Sequence, residues 1–166
     1  MPVSEVHHVA MTVSDVDRAA DFYEQALGYR KTLRTDVGGP GIEVALRLPA
    51  GTTGRVQYMQ GPSRIGQLEL IEWTGEKRRT ATAGHLELGT FLLSFEVPLD
   101  EMADLHARMV ALGAECLSEP HRTLLENYGY ITAFAARDLD GNLLEFVSLP
   151  TREEILAYRA TQQAGS

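Results

Sequence analysis

The sequence predicts an α+β fold made of two βαβββ units that follow one plan. Three observations carry this prediction: a strand–helix–strand order occurs twice, both helices start acidic and end at a glycine, and both units close on an apolar strand with a central glutamate. Residues 8–33 correspond to residues 92–117, and alignment of Val13 with Val97 places Asp17 opposite Glu101. Identity between the copies is slight, but the order of elements is the same.

The first strand lies in the run HHVAMTV and has two different faces, because side chains alternate across a strand. Its mainly apolar face is predicted to pack on the following helix, which directs His8 to the opposite, concave face of a curved sheet. Glu69 and Glu145 in the two closing strands are predicted to point the same way as His8. The apolar face consists of His7, Val9, Met11 and Val13, and the opposite face of His8, Ala10 and Thr12.

The first helix is indicated by apolar residues at three- and four-residue steps between positions 16 and 27. Ser14 or Asp15 can cap its start, and Gly28 is placed to end it.

The rest of the first unit is predicted to be strands at 29–36, 42–48 and 55–60, followed by the closing strand. The glycine-rich run at 37–41 feeds the strand-like IEVALRL and not a helix. We therefore interpret it as a loop and not as a phosphate-binding site.

The second unit repeats these elements. Asp100 can cap its helix and Gly113 can end it, and strands are predicted at 114–117 and 129–137. The Asp-Gly step in DLDGN predicts a tight turn before the closing strand. The run PTREE predicts a capping box for a C-terminal helix.

These elements predict one domain over residues 1–150. Its parts are module one at 6–74, a linker at 75–90 and module two at 91–149, followed by a C-terminal helix and tail at 151–166.

Composition restricts the classes of partner. A net charge of −8, from 15 basic and 23 acidic residues, repels phosphate backbones, so no nucleic-acid partner is expected. No apolar run approaches the roughly 20 residues that a membrane span needs. The single cysteine, Cys116, lacks a nearby base and is interpreted as a packing residue. Without a disulfide framework or a signal-peptide pattern, a reducing, cytoplasmic setting is expected.

His8, Glu69 and Glu145 form the candidate site. Burying two carboxylates without a partner costs several kcal/mol each, so a cation or compensating hydrogen-bond donors should accompany them. A divalent ion would balance two carboxylates and a neutral imidazole. For His8 alone a hydrogen-bonded histidine near a sheet edge is the simpler interpretation, but two glutamates in matching positions favour a metal ligand.

The runs HHVAMTVSDVDRAADFYEQALGY, LELIEW and DLDGNLLEF resemble the vicinal oxygen chelate superfamily. This superfamily includes glyoxalase I, methylmalonyl-CoA epimerase, extradiol dioxygenases, and fosfomycin and bleomycin resistance proteins. The resemblance covers residues 6–149. It implies one cup-shaped, incompletely closed mixed β-barrel with helices outside. It also implies a divalent metal (manganese, nickel, zinc or iron) that takes two adjacent oxygens of a small-molecule substrate.

The family's four ligand positions fall on His8, Glu69, Leu92 and Glu145. Leu92 departs from the family, whose better-known metal enzymes usually place a histidine there. Extradiol dioxygenases need two histidines and one carboxylate, whereas this chain offers one histidine and two carboxylates. The resemblance therefore identifies the family but does not identify a reaction.

Two other histidines are candidates for the missing ligand. His85 in the linker and His121 in the run SEPHRTLLENYGY, which we interpret as a loop, can reach over the mouth of the cup, although loop histidines are usually solvated or capping residues. His106 inside the second helix and His7 are interpreted as structural.

Three functions remain. The favoured one is a glyoxalase-like lyase or isomerase in which the metal polarises a carbonyl and Glu69 or Glu145 acts as general base. A second is a metal-free small-molecule binding or resistance protein, or a metal-independent acid/base enzyme. A third, an interaction module, has little support. Family members frequently form homodimers, for which the segment 37–60 and the C-terminal helix are candidates. The candidate substrate contacts are Tyr58, Leu92, Ser94, Tyr128 and Tyr130.

Overall fold

The computed structural model describes residues 6–63, 65–75, 90, 92–126 and 128–164. The predicted α+β class is confirmed, and the chain divides into two compact units at residues 1–80 and 81–166. The predicted linker lies almost wholly outside the described residues. No helix in the described part of the chain is long and apolar enough to span a membrane.

The first unit is a four-stranded sheet with the strand order β1-β4-β3-β2. β1 runs parallel to β4, and the other two pairs are antiparallel, so the first strand of the unit lies beside its last. The elements are β1 (His8–Thr12), α1 (Val16–Leu27), β2 (Arg30–Gly38), α2 (Pro40–Leu46), β3 (Thr53–Gln60) and β4 (Gln67–Trp73).

The second unit is a five-stranded sheet with the order β5-β9-β8-β6, and β7 also pairs with β8. β6 and β7 pair with different parts of the β8 edge that β9 leaves free, so together they take the place that β2 has in the first unit. The elements are β5 (Leu93–Glu96), a 3-10 turn (Leu99–Glu101), α3 (Met102–Ala111), β6 (Glu115–Cys116), β7 (His121–Leu125), β8 (Gly129–Arg137), β9 (Leu143–Ser148) and α4 (Arg152–Ala164).

The two units have the same pairing register between first and last strand. Ala10 lies opposite Glu69 in the first unit, and Ser94 lies opposite Glu145 in the second. One matching backbone hydrogen bond extends each ladder: the amides of Val13 and Val97 donate to the carbonyl oxygens of Ile71 and Val147, each at 2.9 Å. The alignment of Val13 with Val97 made from the sequence is therefore confirmed.

One face of each sheet carries the core of its unit. α1 packs on β3 and β4, and the Tyr23 hydroxyl reaches the Met11 sulfur at 3.9 Å. Each fully buried large apolar side chain adds roughly 1.5–3 kcal/mol to stability. The fully buried residues include Tyr23, Met59 and Leu70 in the first unit and Met109, Phe134, Leu144 and Phe146 in the second. Packing of the apolar face of β1 toward the helix, as predicted, agrees with the burial of Met11 and Val13.

The two main helices begin differently. The Asp15 carboxylate accepts hydrogen bonds from the amides of Asp17 and Arg18, both at 2.9 Å, and Gly28 ends α1 with a φ of 68°. The predicted Asp100 cap is wrong. Asp100 lies inside the 3-10 turn, which the Glu101 amide closes onto the Pro98 carbonyl, and α3 has no side-chain cap.

Two further predictions are corrected. The strand expected at 42–48 is the helix α2, because the fixed φ of Pro40 suits a first helical turn and the apolar run is as compatible with a helix as with a strand. The loop expected around His121 contains β7, which pairs antiparallel with β8. The capping box is confirmed: the Thr151 amide donates to Glu154, and the Glu154 amide donates to the Thr151 hydroxyl.

We expect Asp15→Ala to lower the free energy of unfolding by about 1 kcal/mol, because two backbone amides lose their acceptor. Asp100→Ala is the matched control and should change it little, since this carboxylate caps nothing in α3. Urea denaturation followed by circular dichroism measures both. Equal losses in the two variants would contradict the difference between the two helix starts.

Candidate functional site

Glu69 lies in the middle of β4, directly between Ala10 on β1 and Tyr58 on β3. Its neighbours Leu68 and Leu70 are buried on the side of the sheet that α1 covers. Because side chains alternate, Glu69 points to the opposite side. There it shares a face with His8, Ala10 and Tyr58.

Both oxygens of the Glu69 carboxylate have a polar partner. The Tyr58 hydroxyl donates to Oε1 at 2.6 Å, and His8 Nε2 lies 3.2 Å from Oε2. The rings of His8 and Tyr58 meet edge to face with centroids 5.9 Å apart. The side chain of Glu69 is only 13% exposed, against 38% for His8. His8, Tyr58 and Glu69 therefore form one cluster, which we call the first-unit cluster.

His7 extends this cluster outward. Its Nδ1 atom lies 2.9 Å from Nδ1 of His8, and the two rings are nearly perpendicular. The sequence places His7 in the apolar set that faces the helix, but the side chain is exposed and contacts His8. This contact was missed because His7 precedes the first residue of β1.

The hydrogen bond to Glu69 raises the pKa of Tyr58 from its ordinary 10.0 to about 12, with smaller contributions from burial and from the negative charge of Glu69. The Tyr58 hydroxyl is consequently a neutral donor at any physiological pH. The sequence indicated Tyr58 as a substrate contact, whereas the structure shows its hydroxyl engaged by Glu69.

Glu145 has the matching position in the second unit, between Ser94 on β5 and Ala135 on β8. Its partner is different: the Ser94 hydroxyl donates to Glu145 Oε2 at 2.7 Å. Ala135 stands where the first unit has Tyr58, and Ser94 stands where it has Ala10. Each carboxylate is thus bound by one hydroxyl, supplied from opposite neighbouring strands.

The other residues proposed as substrate contacts lie elsewhere in the second unit. Leu92 precedes β5, is partly buried and has no donor atom. Tyr128 lies in the turn before β8 and is partly buried. Tyr130 lies under the Arg122 guanidinium, 3.8 Å from the ring centroid. Strand alternation places Tyr130 on the face of β8 opposite Ala135, and hence opposite Glu145.

His106 and His121 have local partners. His106 contacts Phe134 edge to face, and its Nδ1 lies 3.5 Å from a Glu119 carboxylate oxygen. His121 is exposed on β7, with Nδ1 3.3 Å from the Glu119 carbonyl oxygen. His85 lies outside the described residues.

The first-unit cluster fits part of a metal site. Imidazole nitrogen and carboxylate oxygen are ligands that zinc, manganese, nickel and iron accept, and His8 and Glu69 bring one of each together. Glu145 belongs to the second unit. Across the part of the chain that the structure describes, no group of three or more His, Cys, Asp and Glu side chains is arranged to hold a metal ion.

In metal-free protein, we expect the ultraviolet titration of Tyr58 to fall near pH 12, and Glu69→Gln to move it back toward 10. Because the folded-state pKa is raised, this hydrogen bond stabilises the fold fully below pH 10 and is lost as the pH rises through 12. The Tyr58→Phe difference spectrum isolates this one tyrosine. An unchanged titration in Glu69→Gln would contradict the assigned cause.

Comparison of this chain with known proteins identifies its family. The sequence model of the Glyoxalase/Bleomycin resistance protein/Dioxygenase superfamily matches residues 5–146. A 2-epi-5-epi-valiolone epimerase from Actinomyces sp is 32% identical over 95 residues, which are 55% of this chain and 51% of the relative. The matched segment thus spans about half the length of that curated relative.

Solved structures share the fold. A glyoxalase family protein from Bacillus cereus has a TM-score of 0.74 at 20% identity, covering 91% of this chain and 97% of its own. A mutant of the genomically encoded fosfomycin resistance protein from Listeria monocytogenes, in complex with Mn(II) and 1S,2S-dihydroxypropylphosphonic acid, has a TM-score of 0.61 at 15% identity, covering 93% and 99%. Because the family's sequence model covers most of the chain and these structures share its fold, the chain belongs to the Glyoxalase/Bleomycin resistance protein/Dioxygenase superfamily.

Proposed function

We propose that this chain is a metal-dependent enzyme that moves a proton on a carbon next to a carbonyl group of a small molecule, as an epimerase, an isomerase or a glyoxalase-like lyase does. His8, Glu69 and Glu145 would hold the divalent metal. The observation that carries the proposal is the contact between His8 and Glu69, 3.2 Å apart on the sheet face that α1 does not cover.

The register of the two units supports the third ligand. Glu145 lies opposite Ser94 as Glu69 lies opposite Ala10, so both carboxylates occupy the same place in their sheets. Three protein ligands would leave coordination positions open for substrate, as catalytic metal sites require.

The relatives support the type of reaction. One is named as an epimerase, and the fosfomycin resistance structure contains Mn(II). Epimerisation beside a carbonyl removes a proton from one face of the carbon and adds one to the other face, so a carboxylate can act as general base while the other glutamate or a water molecule acts as general acid. A bound divalent ion supplies the other requirement, polarisation of the carbonyl oxygen.

The residues of the two units have different parts in this scheme. Glu69 has a partner on each oxygen, so its orientation is fixed by Tyr58 and His8. Among the described residues, Glu145 accepts a hydrogen bond from the Ser94 hydroxyl on Oε2, so Oε1 can take a proton when it is not bound to the metal. We therefore assign removal of the proton to Glu145, with Glu69 as the second choice.

A metal-free function is the second candidate, and Leu92 favours it. The Leu92 side chain, at the family's third ligand position, has no donor atom. Ala133 and Ala135 on β8 lie on the same face of the sheet as Glu145 on β9. A face of this composition suits an apolar small molecule. The protein would then act by binding alone or through its glutamates.

Metal content is the first test. We expect protein purified without chelator to carry close to one divalent ion per chain by elemental analysis, and His8→Ala and Glu69→Ala to lose it. His121→Ala should retain it, since this exposed side chain is not among the proposed ligands. A wild-type protein that neither contains nor takes up manganese, nickel, zinc or iron would exclude the metal enzyme and favour the metal-free candidate.

Leu92→His tests the departure from the family. If Leu92 is simply a lost ligand, a histidine there should raise metal affinity, measured by competition with a chromophoric chelator. The matched control is Leu92→Phe, which fills the position without a strong donor. No gain with histidine would indicate that the site has adapted to an apolar ligand.

Proton exchange tests the reaction itself. In D₂O, metal-loaded protein should exchange a hydrogen beside the carbonyl of 2-epi-5-epi-valiolone, and Glu145→Gln should slow this by about 10²-fold or more. Mass spectrometry follows the uptake of deuterium, and Asp100→Ala serves as the control. Metal-loaded wild type that exchanges no hydrogen in this ketone or in a panel of small ketones would refute the assigned chemistry.

A further inference from the structure

We propose that His7 is a positioning residue for His8: its ring accepts the Nδ1 hydrogen of His8 and leaves the Nε2 lone pair free for the cation beside Glu69. This inference rests on the proposed function, because it takes His8 as a metal ligand. It gives a role to a histidine for which the sequence pattern indicates only a structural one.

The geometry of the two rings requires a hydrogen bond between them. Nδ1 of His7 and Nδ1 of His8 are 2.9 Å apart, a normal distance for such a bond. Two bare lone pairs would repel each other at this distance, so one nitrogen carries the hydrogen. The other end of His8 is also engaged, since Nε2 lies 3.2 Å from Glu69 Oε2.

Two arrangements of hydrogens satisfy these contacts, because a neutral imidazole carries one hydrogen on one of its nitrogens. In the first, His8 Nε2 donates to Glu69 and His7 Nδ1 donates to His8. In the second, His8 Nδ1 donates to His7, and His8 Nε2 is a bare lone pair. The first suits the cluster without a cation, and a cation on Nε2 requires the second.

His7 can support both arrangements because an imidazole nitrogen can donate or accept at the same atom. A backbone carbonyl in its place could only accept. In passing from the first arrangement to the second, the hydrogen of His7 Nδ1 moves to His8 Nδ1. His8 Nε2 gives its hydrogen to solvent, and the exposed His7 ring takes one from solvent on Nε2. The pair therefore holds two hydrogens before and after.

A fixed partner on the far nitrogen is what metal-binding histidines generally need. Such a partner sets the tautomer and ring orientation, and its loss typically weakens metal affinity by 10- to 100-fold. The contact also ties metal binding to the residues just ahead of β1. Its effect should depend on the hydrogen bond and not on the size of the His7 ring.

Two variants of the full chain separate these possibilities. His7→Phe keeps an aromatic ring but has no nitrogen, so the dissociation constant for Zn²⁺ should rise about 10- to 100-fold. His7→Asn places an amide near the position of Nδ1, where it can donate or accept, and should restore most of the affinity. His121→Phe removes an exposed histidine from the other unit and should bind Zn²⁺ as wild type does.

Nitrogen-15 NMR of the histidine rings reads the tautomer directly, which a merely structural role would not change. In metal-free wild type we expect the hydrogen of His8 on Nε2, and in Zn²⁺-loaded wild type on Nδ1. The Nδ1 hydrogen should be protected from exchange with water in wild type and His7→Asn, and lost from the spectrum in His7→Phe.

The outcomes distinguish this inference from the proposed function. Wild type that binds no Zn²⁺, manganese, nickel or iron overturns both. Wild type that binds Zn²⁺, with His7→Phe binding equally tightly, overturns only the role of His7. A Zn²⁺-loaded His8 that keeps its hydrogen on Nε2 does the same, even if His7→Phe proves too unstable to measure.

Discussion

The candidate site depends on the parallel pairing of each unit's first strand with its last. In the first unit this pairing fixes Glu69 opposite Ala10, and the hydrogen bond from the Val13 amide to Ile71 extends the ladder toward α1. Alternation then separates the two glutamates of β4. Glu69 faces the side of the sheet that α1 does not cover, whereas Glu72 faces the helix. There Glu72 accepts a hydrogen bond from the Val16 amide at 3.1 Å and forms an ion pair with Arg55 at 2.6 Å. A one-residue shift in the pairing register of β4 would turn Glu69 toward the helix and Glu72 to the opposite face.

The sequence predicts much of this because each part has a local signal. The cap at Asp15, the strand 129–137 and the equivalence of the two units all follow from residue type and spacing. The helix α2 was missed because a short apolar run fits either period, so only the tertiary setting decides. The partners of His7 and Tyr58 were missed because a rotamer and a cross-strand neighbour determine them.

The two units differ in the side chains that surround Glu69 and Glu145. Tyr58 and Ala135 occupy equivalent positions, as do Ala10 and Ser94, so a hydroxyl meets each glutamate from a different side. His8 and Leu92 also occupy equivalent positions, so among the described residues Glu69 has two polar partners, Tyr58 and His8, and Glu145 has Ser94. The strand pairing around the two glutamates is the same, so equivalent backbone positions carry two carboxylates with different partners.

The divided edge of the second sheet has a consequence for self-association. β6 and β7 pair with separate parts of one side of β8, so this edge of the sheet consists of two short strands and not of one continuous strand. In the first sheet, β2 has a register shift between Lys31 and Arg34 and is exposed along nearly all its length. Interruptions, bulges and charges at sheet borders hinder the addition of a foreign strand. The β2 border of the first sheet and the border formed by β6 and β7 in the second are therefore poor templates for aggregation.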